Sequence, residues 1–244
     1  PKPQNPKSSF KLYLENKYLM SDIIKNATDL LQKALEKAGV PESHGLGHAL
    51  QVLGHLNEAL VESYLDENRS LACQLAALLH DADDKKYFPS GSSNAKSILK
   101  KVLKEHPLAE RVSNEVFEMI SYVSASDNGN VVPKRAKHEP EFLWPRYSDR
   151  LEAIGTIGAV RCWQYNSEKG APMFAESTPR PQTKKELWSY VTPERFQTYM
   201  TVKTSASMMD HYYDKLLQIA IFDPETIQND YLCKEAEKRV SPLV

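Results

Sequence analysis

Leu71–Phe88 reads LACQLAALLHDADDKKYF. From Leu71 to Leu79 the string is apolar nearly all round, which marks a helix buried on every side. It ends in His80-Asp81, an imidazole and a carboxylate side by side at the rim of a core. Together these groups suit Mn, Fe, Co, Ni, Zn or Mg, depending on how many coordination positions stay open. An HD pair alone carries little weight, because chance places one in many chains of this length. Its value depends on what the flanking helices bring to the same point.

Working outward, Ile24, Ala27, Leu30, Leu31, Ala34 and Leu35 fall at helical spacing and predict a helix from Ser21, stopped by Gly39-Val40-Pro41. Leu46, Leu50, Leu53, Leu56, Leu60 and Tyr64 give a second helix over 45–65. Shorter helices are expected over 95–104 and 108–123, followed by a loop over 124–140 rich in turn formers. One helix is expected over 142–165, with Pro145 in its first turn, and a long loop over 166–184. Two helices opened by proline, 193–221 and 224–240, complete the order. No strand pattern and no repeat is visible, so the fold class is all-α. The three prolines among the first ten residues disfavour order there, so 1–20 is expected to be a flexible arm and 21–244 a single domain.

Two more residues join the HD pair. His48, in HGLGHALQVL, lies one helix upstream and can face it across an antiparallel helix pair. Asp149, in RYSDRLEAIGTIGAVR, lies on a helix downstream. The chain order is then His, His-Asp, Asp, each on a separate expected helix.

That order resembles the HD superfamily of metal-dependent phosphohydrolases. HDxxDxKY (His80, Asp81, Asp84, Lys86, Tyr87) is similar to the HDxxDxKF string of its bacterial nucleotide pyrophosphohydrolase-like branch. SDRLEAIGTIGAVRCWQY (Ser148–Tyr165) resembles that branch's DADRLDAIGAIGIAR segment. KGAPMF (Lys169–Phe174) and HYYDKLLQI (His211–Ile219) also have counterparts, the second resembling HFYEKLL. The resemblance spans Ala27 to Arg239 and implies an HD helical bundle with a long loop insertion and C-terminal helices packed on it. It implies one divalent ion, Mn favoured, on His48, His80, Asp81 and Asp149, with the open positions of a catalytic site. A second ion would need further histidines between His80 and Asp149. Only His106, before a proline, and His138, in a polar loop, stand there.

The implied activity is hydrolysis of nucleoside or deoxynucleoside triphosphates to monophosphate and pyrophosphate. A 5′-nucleotidase, a triphosphohydrolase or a cyclic-nucleotide phosphodiesterase would use the same constellation. Asp84, one turn past Asp81, falls where a general acid or base must be, with Asp83 as the alternative. Lys86 is the first candidate phosphate anchor, followed by Arg150 and Lys215. Arg150 could instead pair with Glu152, which could also orient a ligand. His211 is expected to line the pocket. Tyr87, Tyr212 and Tyr213 either stack on a base or ribose or belong to the core. His55 reads as a packed histidine and His44 as a surface or capping residue. The chain departs from the family pattern at Gln51, where arginine is usual, and in ISYVS (Ile120–Ser124), which lacks a lysine. Those two losses motivate a rival, a non-catalytic nucleotide-binding HD protein.

Composition narrows the field. With 31 Lys+Arg against 32 Asp+Glu there is no basic face for nucleic acid. The 9 glycines form no Gly-rich loop of the P-loop or dinucleotide type. No apolar run approaches the roughly 18 residues that span a bilayer, and the polar start lacks a secretory h-region. Cys73, Cys162 and Cys233 are far apart and read as thiols of a reducing compartment. The expectation is a soluble cytoplasmic enzyme with a nucleotide substrate, a homo-oligomer being left open.

Overall fold

The structure, a computed structural model, describes residues 6–41, 45–89 and 91–244, with side chains described from residue 19 onward. Five helices come first: α1 (Pro6–Ala38), α2 (Leu46–Val61), α3 (Glu67–Leu79), α4 (Asn94–Val102) and α5 (Ala109–Val123). Leu71, Ala72, Cys73, Leu75, Ala76 and Ala77 of α3 are completely buried. At about 1.5–3 kcal/mol for each large apolar side chain taken from water, that burial makes α3 the axis of the fold. It starts on Asp66, whose carboxylate accepts a hydrogen bond from the Arg69 amide at 2.9 Å. Around it pack α1, α2, α5 and α7 (Trp144–Ala153). Between α5 and α7 lie α6 (Ala125–Asn128) and two 3-10 segments, Arg135–Lys137 and Pro140–Leu143.

The C-terminal third adds α8 (Gly155–Glu168), α9 (Lys184–Ser189), α10 (Pro193–Val202), α11 (Met208–His211), a π-helical stretch Tyr212–Leu216, α12 (Leu217–Ile219), α13 (Pro224–Ile227) and α14 (Asp230–Val240). Among the described residues there is no strand. No helix among them is long and apolar enough to cross a membrane.

Four expectations about elements need correction, the simplest being that the helix expected over 224–240 is two, α13 and α14, parted at Gln228, which is left-handed with φ 49°. The first helix begins at Pro6, not Ser21, so most of the segment expected as an arm is continuous with α1. Pro6 at the first helical position loses no hydrogen bond, and residues 7–20 contain no further proline or glycine. Residues 1–5 lie outside the described residues. The helix expected over 142–165 is two, because Ile154 is extended and Gly155 takes φ +74°. That conformation favours glycine, and a Cβ there would also stand 3.2 Å from Arg239. The helix expected over 193–221 breaks at Lys203, which is left-handed with φ 59°.

The bend at Gly155 lets α8 lie close to the π-helical stretch. A Cβ on Gly158 would fall 2.3 Å from the Ala153 carbonyl oxygen and 2.9 Å from Leu216 Cδ1. Gly158→Ala is therefore expected to destabilise the fold by about 1–3 kcal/mol, the usual cost of overpacking. Urea unfolding checks this, and an unchanged midpoint would show that α8 can move away freely. The long loop after α8 is tied down at several points. The Met208 and Met209 amides donate to the carbonyls of Pro172 and Met173 at 2.9 and 3.2 Å, and the Thr178 hydroxyl donates to Asp210 at 2.7 Å.

Candidate metal centre

Two helix ends and one mid-helix position converge at the rim of the α3 core. His80 caps the C-terminus of α3, Asp81 follows it, His48 comes from the first turn of α2, and Asp149 from the middle of α7. His48 Nε2 is 3.2 Å from Asp149 Oδ1 and 4.0 Å from Asp81 Oδ2. His80 Nε2 is 3.5 Å from Asp81 Oδ2 and 3.6 Å from Asp149 Oδ1. The two imidazoles meet edge to face, their centroids 5.2 Å apart. One ligand atom from each of His48, His80 and Asp81 lies within 4.8 Å of the others.

These four side chains fit a divalent cation. His80 Nδ1 lies 2.8 Å from the Ala77 carbonyl, to which it can only donate, so the other ring nitrogen carries the lone pair. That nitrogen, Nε2, is buried, points into the cluster and has no hydrogen-bond partner. An orphaned acceptor of this kind costs about 1–3 kcal/mol unless something binds it. Burial alone would lower the His80 pKa, yet the charges of Asp81 and Asp149, with the Ala77 bond and Asp84, raise it above its ordinary value. The cluster thus concentrates negative charge on two imidazoles. His106 and His138 lie elsewhere: His106 Nδ1 accepts from the Leu108 amide at 3.2 Å, and His138 is exposed.

Beyond Asp81 the chain makes tight turns, and Asp83, Asp84 and Lys86 separate by role. Asp83 accepts from the amides of Asn94 (2.7 Å) and Ala95 (3.1 Å) and from the Ser92 hydroxyl (2.8 Å). It caps α4 from a distance, since Ser93 at the N-cap position makes no side-chain bond. Asp83 is thus committed to structure, which removes it as the alternative to Asp84. Asp84 turns its Oδ2 to Lys86 Nζ at 3.5 Å, and its charge reaches His80. Lys86 is largely exposed, and Tyr87 is half-buried against the core.

The π-helical stretch brings Lys215 to the same place. Such bulges widen one helical turn and recur at functional sites. Burial lowers the Lys215 pKa, the charge of Lys86 lowers it further and that of Asp149 opposes the shift. Its ammonium stands 5.7 Å from the centre of the Tyr199 ring. His211 is buried between Tyr165 and Tyr199, with centroids at 5.5 and 5.2 Å. Burial, then Lys215 and Lys169, push its pKa down to about 4, so it is neutral at pH 7. Arg161 also acts on Lys215. Arg161 is not among the residues expected at the site, although the family-like segment SDRLEAIGTIGAVR carries an arginine there.

Other expected site residues are placed differently. Arg150 is fully buried, and its guanidinium donates to the Asn130 side chain at 2.8 Å and to the Gly129 carbonyl at 2.5 Å. Committed to that loop, it is not a phosphate anchor. Arg150 does not pair with Glu152, which instead meets His55 and Arg239. Tyr213 is buried, and Tyr212 donates to the Leu243 carbonyl, which leaves both in the packing role. His44 lies outside the described residues, and Gln51 is exposed.

Solved structures share this arrangement of helices. An HD-superfamily hydrolase of Bacillus thuringiensis is 22% identical, with 90% of each chain covered and a TM-score of 0.55. A Lactobacillus plantarum protein is 20% identical over 91% of this chain and 92% of its own, with a TM-score of 0.60. The Lin1889 protein of Listeria innocua is 19% identical over 92% of each chain, with a TM-score of 0.54. The fold is therefore the one these solved structures share, and here it gathers His48, His80, Asp81 and Asp149 at one point. No protein-family model matches the sequence. The uncharacterized protein L803 of Acanthamoeba polyphaga mimivirus is 33% identical over 231 residues, covering 91% of this chain and 93% of that protein. The chain belongs to the same family as this viral protein.

Proposed function

We propose that the chain is a divalent-metal-dependent phosphohydrolase that splits nucleoside triphosphates to monophosphate and pyrophosphate. The observation that carries this is the orphaned His80 Nε2 within a two-histidine, two-carboxylate cluster, flanked on one side by Lys86 and Lys215. Carboxylates and imidazoles suit a hard or borderline cation, and lysines beside them suit phosphate oxygens. His48, His80, Asp81 and Asp149 would hold the ion. A divalent cation there supplies Lewis acidity toward a phosphoryl oxygen and lowers the pKa of the attacking water. Asp84 takes the proton, while Lys86 and Lys215 hold the phosphates and neutral His211 closes the pocket beside Tyr165 and Tyr199. Free Cys73, Cys162 and Cys233 fit a reducing compartment such as the cytoplasm.

The test is product analysis on a nucleotide panel with Mn, Mg, Co and Ni. Release of pyrophosphate supports this reading, whereas phosphate or triphosphate release replaces it with a nucleotidase or triphosphohydrolase. No turnover of any nucleotide leaves the non-catalytic alternative. Lys215→Met is expected to raise KM by about ten- to a hundredfold, given roughly 1.5–3 kcal/mol for a hydrogen bond to a charged group. Steady-state kinetics check this, and an unchanged KM would remove Lys215 from the phosphate site.

A further inference from the structure

Helix α2 carries two histidines, His48 and His55, two turns apart on one face. Helix α7 carries two carboxylates, Asp149 and Glu152, one turn apart. His48 meets Asp149 at 3.2 Å, and His55 Nε2 meets Glu152 Oε1 at 2.8 Å. Both contacts step in the same direction along the two helices, so α2 and α7 are joined twice. The first junction belongs to the metal cluster. The second is made by His55, Glu152, Tyr231 and Arg239, which are not among the candidate ligands.

The second junction is enclosed by α14. The Tyr231 hydroxyl lies 2.7 Å from His55 Nδ1, and Arg239 Nη1 donates to Glu152 Oε1 at 3.0 Å and to the Leu151 carbonyl at 2.6 Å. The Glu152 and His55 side chains are each only 12% exposed. The bond from His55 holds the Glu152 carboxyl below its usual pKa, with Arg239 reinforcing this against burial. Helix α7 ends at Ala153, one residue past Glu152, where the chain breaks at Ile154-Gly155. Burial of Trp144, Arg146, Arg150 and Leu151 seats α7 in the core, and the Glu152 contacts fix its last turn, three residues past the ligand Asp149. Metal sites tolerate errors of only about 0.2 Å in ligand distance.

We infer that His55, Glu152 and Arg239 form a positioning clamp. It sets the separation of His48 and Asp149, and through it the affinity for a divalent ion. The inference rests on the metal-centre reading above and adds positioning residues that contact no metal. The test is calorimetric titration of Mn2+ into the wild type, Glu152→Ala, Glu152→Gln and His55→Gln, with thermal unfolding recorded for each. Glu139→Ala serves as a control, disturbing a buried ion-pair cluster at the opposite end of α3.

Glu152→Ala is expected to weaken Mn2+ binding about tenfold or more, in the range seen when groups supporting metal ligands are removed. Glu152→Gln keeps a bond to His55 and should recover part of that loss. If Glu139→Ala lowers the unfolding temperature as much as the clamp variants yet binds Mn2+ like the wild type, destabilisation alone is excluded as the cause. Clamp variants that bind Mn2+ like the wild type would overturn the clamp and leave the metal centre standing. A wild type that binds no Mn2+ would overturn both.

Discussion

His80→Ala is expected to abolish measurable Mn2+ binding and to slow nucleotide hydrolysis by on the order of a thousandfold or more. A catalytic metal stabilises transition-state charge by several kcal/mol, and each 1.36 kcal/mol is about a factor of ten in rate. The residue is chosen because its side chain is 2% exposed and its Nε2 has no hydrogen-bond partner among the described atoms. Thermal unfolding gives a second readout. Saturating Mn2+ at about a hundred times its dissociation constant should stabilise the wild type by roughly 2.7 kcal/mol. The same addition should leave His80→Ala unmoved. A variant that keeps its rate, or still gains stability from Mn2+, would remove His80 from the ligand set.

Arg69→Ala is expected to cost about 3–5 kcal/mol of stability, as when one partner of a buried ion pair is removed. Arg69 donates to Glu115 at 3.0 and 3.2 Å, to Glu139 at 2.7 Å and also to Glu141. Glu115 and Glu141 are buried; Glu115 keeps Arg111 at 3.1 Å and Arg135 at 3.7 Å, but removing the guanidinium strands the Glu141 carboxylate. Phe142 adds to the loss, since Arg69 and Arg135 stand 4.6 and 3.9 Å from its ring centroid. At roughly 2–4 °C per kcal/mol for a chain of this size, the unfolding temperature should fall by about 10 °C. Arg69→Met, which keeps length but not charge, should fall nearly as far, and a wild-type midpoint in both would mean the cluster contributes nothing.

The same cluster has a pH signature. Bonding from Arg135, with Arg69 adding against burial, holds Glu139 below its ordinary pKa. A depressed carboxylate contributes stability that is complete above its unfolded pKa and is lost as pH falls through the folded value. The contribution of Glu139 should therefore be intact above the ordinary carboxylate range and lost only below it. Comparing acid unfolding of the wild type and Glu139→Gln checks the direction.

Much of the fold was legible in the sequence because apolar periodicity reports burial directly. Leu71–Leu79, apolar all round, became the buried axis, and the end of α1 at Gly39 followed from the stop signal. The convergence of His48, His80, Asp81 and Asp149 was legible from chain order and residue chemistry. What was not legible depends on contacts between distant segments. Nothing in RYSDRLEAIG tells that Arg150 turns to Gly129 rather than to a phosphate. Asp83 became a cap only because α4 starts beside it, and Glu152 a clamp only because α14 arrives there. The break at Gly155 left a visible trace, a glycine in a helical run, but its weight came from Arg239 packing against it.

The clamp also bears on the order in which the protein is made. His55 lies 176 positions from Tyr231 and 184 from Arg239. A chain emerging from the ribosome at about 5–20 residues per second completes α2 and then waits on the order of ten seconds or more for its latch. The α2 and α3 ligands are exposed for that interval without the part that fixes their spacing. The clamp thus closes only once Arg239 has emerged, and a product truncated before Arg239 would carry every candidate ligand yet lack the geometry to use them well.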